Sequence, residues 1–410
     1  MTPPGPTSLA TVATWLLTAP HVDDGGESFM AGLAAAVHAA GVPLWRASFS
    51  LITKHPELVW RTVQWHATGG DALDPTRAAT IPGVSAIERT RAALDEPYFQ
   101  NSPIAALRRG APAIRVPLVA GPLPYPICDD LRAQGGTEYF AQPLQMSTGE
   151  LSYISWATRA PGGFGDEAIA ALLALTPYLA QRIDLTSAHH TTRALLEVYL
   201  GRNAGRRVSD GAFRRGSGEQ IDAAIWFCDL RGFTQLSDSR TPEAVVGMLD
   251  AYFDCVAGAV MAAGGEVLKF IGDAILAIFP VESDARAACR QALAAADQAF
   301  AALGAINADR RARGEPALAF GVGLHRGRVM YGNIGARDRL DFTVISSAVN
   351  EASRLEGLCK SLEISLALSQ AFVDAAELGD AVDLGPQQLK GVRAPIRVFT
   401  LARRPHLDDA

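Results

Sequence analysis

Cysteine is scarce in this sequence: five residues in 410, at Cys128, Cys228, Cys255, Cys289 and Cys359. An odd number with no CxxC pair argues against a disulfide framework and against a structural zinc site. Nor does one sign of charge dominate, since 37 Lys and Arg face 43 Asp and Glu for a net charge of −6. That excludes the global basic field that draws a protein to nucleic acid or to an anionic membrane. Long apolar runs are missing as well. The opening stretch MTPPGPTSLATVATWLLTAP has no basic flank, and its apolar part falls well short of the ~20 residues that a bilayer span needs. The expectation is a cytoplasmic chain with no membrane span. No tandem repeat or low-complexity tract is visible. What is present is 49% hydrophobic and 20% charged residues, the composition of a packed protein. At roughly 100–200 residues per domain, the length predicts two or three domains.

Between residues 29 and 185 the pattern reads helix, strands, helix. FMAGLAAAVHAAG is helical, PLWRASFSLI and ELVWRTVQWH are strand-like, and a proline-rich stretch occupies about 69–126. Two further strand candidates, EYFAQPLQM and ELSYISWATR, lead into FGDEAIAALLALTPYLAQRIDL, where Ile169, Leu172, Leu173, Leu179 and Ile183 share one helical face. Asp166 and Glu167 suit the start of that helix, and Pro177 is expected to bend or break it. TTRALLEVYLG reads as a helical connector into GRNAGRRVSDGAFRRGSG, whose glycines and arginines suggest a solvated linker. His189 and His190 in the connector have no third ligand nearby in sequence, so no metal site is expected there. The expected division is a first domain over 1–185, a connector and linker over 186–218, and a second domain over 219–402.

The second domain reads more sharply. AAIWFCDL has the length of a buried strand, and TPEAVVGMLDAYFDCVAGAVMAAGG is a helix capped by Thr241 with Pro242 in its first turn. EVLKFI and AILAIF flank Gly272 and Asp273 as a tight hairpin. A long Ala-rich helix is expected from Ser283, its cap, to about residue 313. LAFGVGLHRG and VMYGNIG are strand-like, residues 349–362 look helical, and strands near Ile364 and Ile396 close the domain. The order βαββαβ is that of an α+β, ferredoxin-like sheet with helices on one face.

Asp229 ends its strand in FCDLRGFT, and Asp273 sits in the hairpin of KFIGDAILAIF. Neighbouring strands could bring the two carboxylates together, and such a pair repels unless cations neutralise it, which suits magnesium or manganese. On spacing alone, the two could equally cap a turn and fill a hairpin position. Asn350 and Arg354 stand one helical turn apart in VNEASR, so both project from one face. By itself that spacing describes any exposed helix face.

Taken in order, FCDLRGFT, VLKFIGDAILAIF, GVGLHRGRVMYGNIG and DFTVISSAVNEASRLE resemble the signature blocks of class III nucleotidyl cyclases, across about residues 221–401. The resemblance implies attack of a nucleoside triphosphate's 3′ hydroxyl on its own α-phosphorus, with release of pyrophosphate. It implies two Mg2+ or Mn2+ ions per site, held by Asp229, Asp273 and the carbonyl of Leu230. Asn350 would orient the ribose, and Arg354 would stabilise charge on the phosphorus. Lys269 and Thr343 match the two base-reading positions. A donor for N1 and an acceptor for the N6 amino group suit adenine, so the implied substrate is ATP. Guanylyl members typically have Glu and Cys there, and threonine marks an adenylyl subgroup. Lys390, in QLKGVR, matches a lysine that contacts the triphosphate, and the amides of Arg231, Gly232, Phe233 and Thr234 are expected at the phosphates. Ser346 and Ser347 depart from the family's Gly and Asp or Asn, which bears on loop geometry. His325, in LHRG, stands where members also place histidine and reads as structural.

A head-to-tail homodimer with two interfacial sites is also implied, each site taking its aspartates from one chain and its Lys, Thr, Asn, Arg and phosphate lysine from the other. Before residue 185 the element order resembles an α/β GAF-type sensory domain in pattern, which implies control by a small-molecule or protein signal. Trp45, Trp60, Trp65, Tyr139, Phe140 and Trp156 there could line a pocket or form plain core. The main expectation is an adenylate cyclase. The alternatives are a catalytically silent nucleotide-binding signalling partner, disfavoured by competent residues at every catalytic position, and a guanylate cyclase, opposed by Lys269.

Overall fold

A computed structural model describes residues 9–20, 22, 25–52, 58–67, 81–212, 214–238, 240–388 and 395–401, and the chain divides into two units, residues 1–195 and 196–410. In the first, helices α1 (Leu9–Thr18) and α2 (Glu27–Ala39) precede strands β1 (Arg46–Ile52), β2 (Leu58–His66) and β3 (Val84–Thr90). A 3-10 turn (Arg91–Leu94) and short helices α3 (Pro97–Gln100) and α4 (Pro103–Arg108) lead to β4 (Ile114–Pro117) and α5 (Pro126–Ala133). β5 (Glu138–Gln145), β6 (Leu151–Thr158), α6 (Gly165–Ala174) and α7 (Thr176–Leu200) follow. The six strands make one antiparallel sheet in the order β3-β2-β1-β6-β5-β4.

Alternation decides the two faces of that sheet. Phe49, Val63, Phe140 and Trp156 point to one side and meet Met30, Leu33, Leu172, Leu179 and Ile183 of the helices. Trp45, Tyr139, Ala141 and Tyr153 take the other side, with Leu107 of α4 and Leu131 of α5. The expected break falls at Leu175, ahead of Pro177, and α6 and α7 meet at 48°. Ile169, Leu172, Leu179 and Ile183 are buried as expected. Leu173 is 44% exposed, because the inward position at the bend goes to Leu175.

The second unit opens with a helix where the composition suggests a linker. Part of the stretch read as solvated linker is a helix, α8 (Arg202–Ser209), with Ala204 fully buried beside Ile225, Leu268 and Tyr331. Asn203 donates to Glu266 at 3.2 Å, and Arg207 pairs with Glu219 at 2.6 Å and lies 5.1 Å from the Tyr331 ring. Glu266 and Tyr331 are distant in sequence, so composition could not show them.

Next come β7 (Gly218–Leu230), α9 (Phe233–Asp238), α10 (Pro242–Ala262), β8 (Glu266–Ile271), β9 (Ala274–Pro280) and α11 (Ala285–Ala312). β10 (Phe320–Ala336), β11 (Arg339–Ile345), α12 (Ser347–Ser361), β12 (Leu366–Ser369), α13 (Gln370–Ala376), β13 (Ala381–Gln387) and β14 (Ile396–Leu401) complete it. The sheet runs β13-β14-β12-β10-β7-β9-β8, with β11 paired to β10. LAFGVGLHRG and VMYGNIG, read as two segments, are one strand, because β10 pairs with β7 without interruption from Phe320↔Leu230 to Gly332↔Gly218. Thr241 caps α10 by accepting from the Ala244 amide at 3.4 Å. α11 is capped by Asp284 rather than Ser283, its carboxylate accepting from the Arg286 amide at 2.8 Å.

α10, with 21 residues, is long and apolar enough by length and composition to cross a bilayer. In this fold its Met248, Tyr252, Val256 and Val260 pack with Trp226, Cys228 and Ile275 of the sheet and with Ala292 and Ala296 of α11. On the other face, α12 lies against β10 at Gly323. A Cβ there would stand 2.3 Å from the Ala352 carbonyl oxygen, so only glycine allows the approach that places Asn350 and Arg354.

Candidate active site

The central strands bring the two aspartates together. Cys228 of β7 pairs with Ile275 of β9, so Asp229 lies where that ladder ends, beside the turn of Gly272 and Asp273. Gly272 has φ 66°, the left-handed conformation that the tight turn needs. The carboxyls of Asp229 and Asp273 are within hydrogen-bonding reach, and burial together with the Asp273 carboxyl pushes Asp229 up to about 6. Arg231 and the Leu230 amide pull the other way and lose. Two crowded carboxylates next to a strand-end carbonyl form an all-oxygen donor set, the kind hard divalent cations take, and the strain between them is what a cation relieves. The residues therefore fit the implied metal. Among the described residues no group of three or more His, Cys, Asp or Glu side chains could hold an ion, so further ligands would come from backbone, substrate phosphates and water.

Arg231 turns inward from the same loop. Its Nη2 lies 2.7 Å from Glu356 Oε1 on α12 and donates to the Glu356 carbonyl oxygen at 3.3 Å. Glu356 is buried, and burial pushes its carboxyl up to about 7 even with Arg231 beside it. Gly321 makes the room, since a Cβ there would meet the Arg231 guanidinium at 1.8 Å. The Arg231 amide donates to the Ala319 carbonyl at 2.7 Å, so of the four amides expected at the phosphates this one is already engaged. Gly232, at φ 68°, leads Phe233 and Thr234 into the start of α9, where a helix's first N–H groups lack intrahelical acceptors.

Lys269 follows a bulge in β8 between Val267 and Lys269, an irregularity that re-aims a side chain. Its Nζ donates to Asp341 Oδ2 at 3.1 Å. Asp341 and Thr343 sit two apart on β11 and share a face. Thr343 is 5% exposed, and its Oγ1 has no hydrogen-bond partner. Such an orphaned hydroxyl is costly unless something else meets it.

Asn350 and Arg354 occupy the exposed side of α12, opposite Ala348, Ala352 and Leu355. Ser346, one of the two departures from the family pattern, caps this helix by accepting from the Val349 amide at 3.4 Å. No hydrogen bond or ion pair among the described residues joins the aspartates to Lys269, Thr343, Asn350 or Arg354. Lys390 lies outside the described residues. His325 is buried, with Nδ1 2.9 Å from Ser369 Oγ and Nε2 3.4 Å from Glu351 Oε2, and burial lowers it to about 4. It is a neutral tie between β10, α12 and the end of β12. The sequence reading passed over Asp341 and the Arg231–Glu356 pair. An acidic residue two before Thr343 was a usable signal for the first; the second needed the fold.

Residues 217–403 match the sequence model of the family described as the adenylate and guanylate cyclase catalytic domain. An uncharacterized protein of Mycobacterium tuberculosis is 40% identical over 205 residues, covering 48% of this chain and 36% of that protein. Adenylate cyclase 1 of Rhizobium meliloti is 34% identical over 210 residues, 49% of this chain and 31% of the relative. The adenylate cyclase of Anabaena cylindrica is 39% identical over 153 residues, 36% and 30% respectively. The chain thus spans about a third of the length of the curated relatives it matches. Residues 217–403 form a class III adenylate/guanylate cyclase catalytic domain.

Proposed function

We propose that the chain is an adenylate cyclase of the threonine subgroup, converting ATP to 3′,5′-cyclic AMP and pyrophosphate at two sites between paired copies, under control of the N-terminal unit. The observation that carries this reading is the Asp229–Asp273 pair, two carboxylates crowded at a strand end within a cyclase catalytic domain. Two Mg2+ or Mn2+ ions held there, with the Leu230 carbonyl, would lower the pKa of the 3′ hydroxyl and neutralise the leaving pyrophosphate. Lys269 donates to adenine N1, and Thr343 Oγ1, otherwise orphaned, accepts from the N6 amino group. Guanine presents N1–H to the lysine and a carbonyl beyond it, a mismatch on the lysine side. Asn350 fixes the ribose for in-line attack, and Arg354 offers its fork to the charge growing on phosphorus. The amides of Gly232, Phe233 and Thr234, with Lys390, hold the phosphate tail.

Pairing of two copies is supported by apolar surface left uncovered on the domain. Apolar residues stand exposed beside the base-reading groups: Phe270 at 51%, Ile271 at 49% and Ile345 at 54%. A GAF-like reading of the N-terminal unit is supported by its six-stranded antiparallel sheet, packed by α2, α6 and α7 on one face and by α4 and α5 on the other, and the long α7 supports a helical relay. All five cysteines are free thiols, which suits a reducing cytoplasm.

Purified protein supplied with ATP or GTP and Mn2+ tests this. Cyclic AMP from ATP alone supports it, and cyclic GMP alone makes the chain a guanylate cyclase. Nucleotide binding without product, from a confirmed dimer, leaves the silent signalling partner. Removing the residues before about 201 should change the basal rate and leave base choice intact.

A further inference from the structure

The first unit holds a half-open cavity of about 660 Å³ on the sheet face opposite the helical layer. A sheet covered on both sides is normally apolar on both. Here residues of α3 and α4 cover a row of polar side chains instead: Arg46 and Ser48 of β1, Gln64 of β2 and Ser155 of β6, none more than 9% exposed. They alternate with Ala47, Phe49 and Val63, which face the helices.

Arg46 is the group that needs an explanation. Its guanidinium donates to Gln64 Oε1, and no carboxylate among the described residues pairs with it. Two glutamates of the cavity wall, Glu96 and Glu150, are exposed and make no ion pair with it. The other two buried arginines among the described residues of the unit are met differently: Arg61 pairs with Glu27 at 2.6 Å and with Glu88 at 3.2 Å, and Arg182 donates to the Pro20 carbonyl at 2.9 Å and lies 5.7 Å from the Phe29 ring. A guanidinium cannot shed its proton, and burying it without a counter-charge is costly. Burial accordingly lowers the Arg46 pKa, opposed only by the Tyr139 and Tyr98 hydroxyls. The Tyr98 and Tyr139 hydroxyls act on this cation, and farther along the same cavity, where β1 and β2 end in the Ile52–Trp60 pair, the wall is aromatic. Trp60 and Phe99 stand with ring centroids 5.2 Å apart, tilted at 35°. The volume is that of an ordinary small-molecule site.

We propose that this cavity binds an elongated, flat organic oxyanion, a carboxylate or phosphate ester whose charged group meets Arg46 and whose ring system extends along the sheet toward Trp60 and Phe99. The proposal deepens the sensory role given above to the N-terminal unit. Binding and melting can be read without nucleotide, so failure here leaves the cyclase reading standing, and the reverse holds too.

The test titrates the full chain calorimetrically with 2-naphthoate, 2-naphthyl phosphate and the neutral 2-naphthamide, and melts the ligand-free protein. At least one anion should saturate a single site, with the amide weaker by about tenfold or more. Naphthoate or the phosphate ester binding more tightly tells which oxyanion is meant. Arg46→Met should abolish anion binding yet melt no lower than the intact protein, because an apolar side chain replaces an unpaired buried charge. Trp60→Ala, which leaves the Arg46–Gln64 bond in place, should weaken binding in parallel. The proposal is overturned if the amide binds as well as the anions, if neither anion binds at millimolar concentration, or if Arg46→Met lowers the melting temperature by several degrees.

Discussion

Lys269 of β8 and Asp341 of β11 form an ion-paired hydrogen bond of 3.1 Å, and Asp341 stands two residues before Thr343 on the same strand face. The lysine thus has a fixed anchor beside the buried, unpartnered Thr343 hydroxyl. Lys269→Ala should lower kcat/KM for ATP by about tenfold or more, the cost of leaving a polar base edge unmet. Asp341→Asn should raise KM for ATP and narrow the preference over GTP while changing kcat little. If both nucleotides keep their kcat/KM in that variant, the pair is an exposed ion pair of small worth.

Arg231 and Glu356 tie the loop of Asp229 to α12 through a buried contact of 2.7 Å. Arg231→Ala strands a buried carboxyl and should cost about 3 kcal/mol in urea unfolding. Replacing both, as Arg231→Met with Glu356→Leu, should recover most of that loss. Equal destabilisation by the single and double variants would mean that the pair is not coupled.

His325 gives stability a pH dependence of known sign. Burial holds it at about 4 against an ordinary 6.5, so between those values the unfolded chain binds more protons than the folded one. Stability from this group is full above about 6.5 and is lost as pH falls toward about 4, by at most roughly 3 kcal/mol. Urea midpoints at pH 7 and pH 5 should therefore differ less in His325→Gln than in the intact protein. Parallel pH curves would contradict a buried neutral histidine.

Two glycines near α12 make a controlled comparison. Gly323→Ala drives a Cβ to 2.3 Å from the Ala352 carbonyl oxygen, whereas Gly357→Ala, on α12 itself, meets nothing within 4 Å. The first should destabilise the domain and lower kcat through displacement of Asn350 and Arg354. The second should be neutral or stabilise by up to about 1 kcal/mol, the helical preference for alanine. Circular dichroism melts with steady-state rates separate the two.

Much of the cyclase domain was legible because its signals are local. Gly272 and Asp273 between two apolar runs mark the β8–β9 hairpin, and Thr241-Pro242 marks the start of α10. The ordered blocks pointed to the same aspartates that the structure places side by side. Where partners are remote, the reading stopped. α8 has a linker's composition and is held by Glu266 and Tyr331, far away in sequence. Glu356 lies inside a quoted block, yet only the fold shows Arg231 reaching it. In the N-terminal unit, Arg46, Ser48 and Gln64 alternate as a solvated face would, and nothing local reveals that the face is covered.

In the proposed cyclase, one chain carries two half-sites which become whole only across a dimer. Asp273→Ala and Arg354→Ala should each abolish cyclic AMP formation from ATP, since one removes a proposed metal carboxylate and the other the guanidinium proposed to face the phosphorus. Mixed in equal amounts and allowed to exchange, they should regain about a quarter of the intact activity, because half the dimers are mixed and each of those holds one complete site. A mixture as inactive as either variant alone, with exchange verified, would contradict the claim.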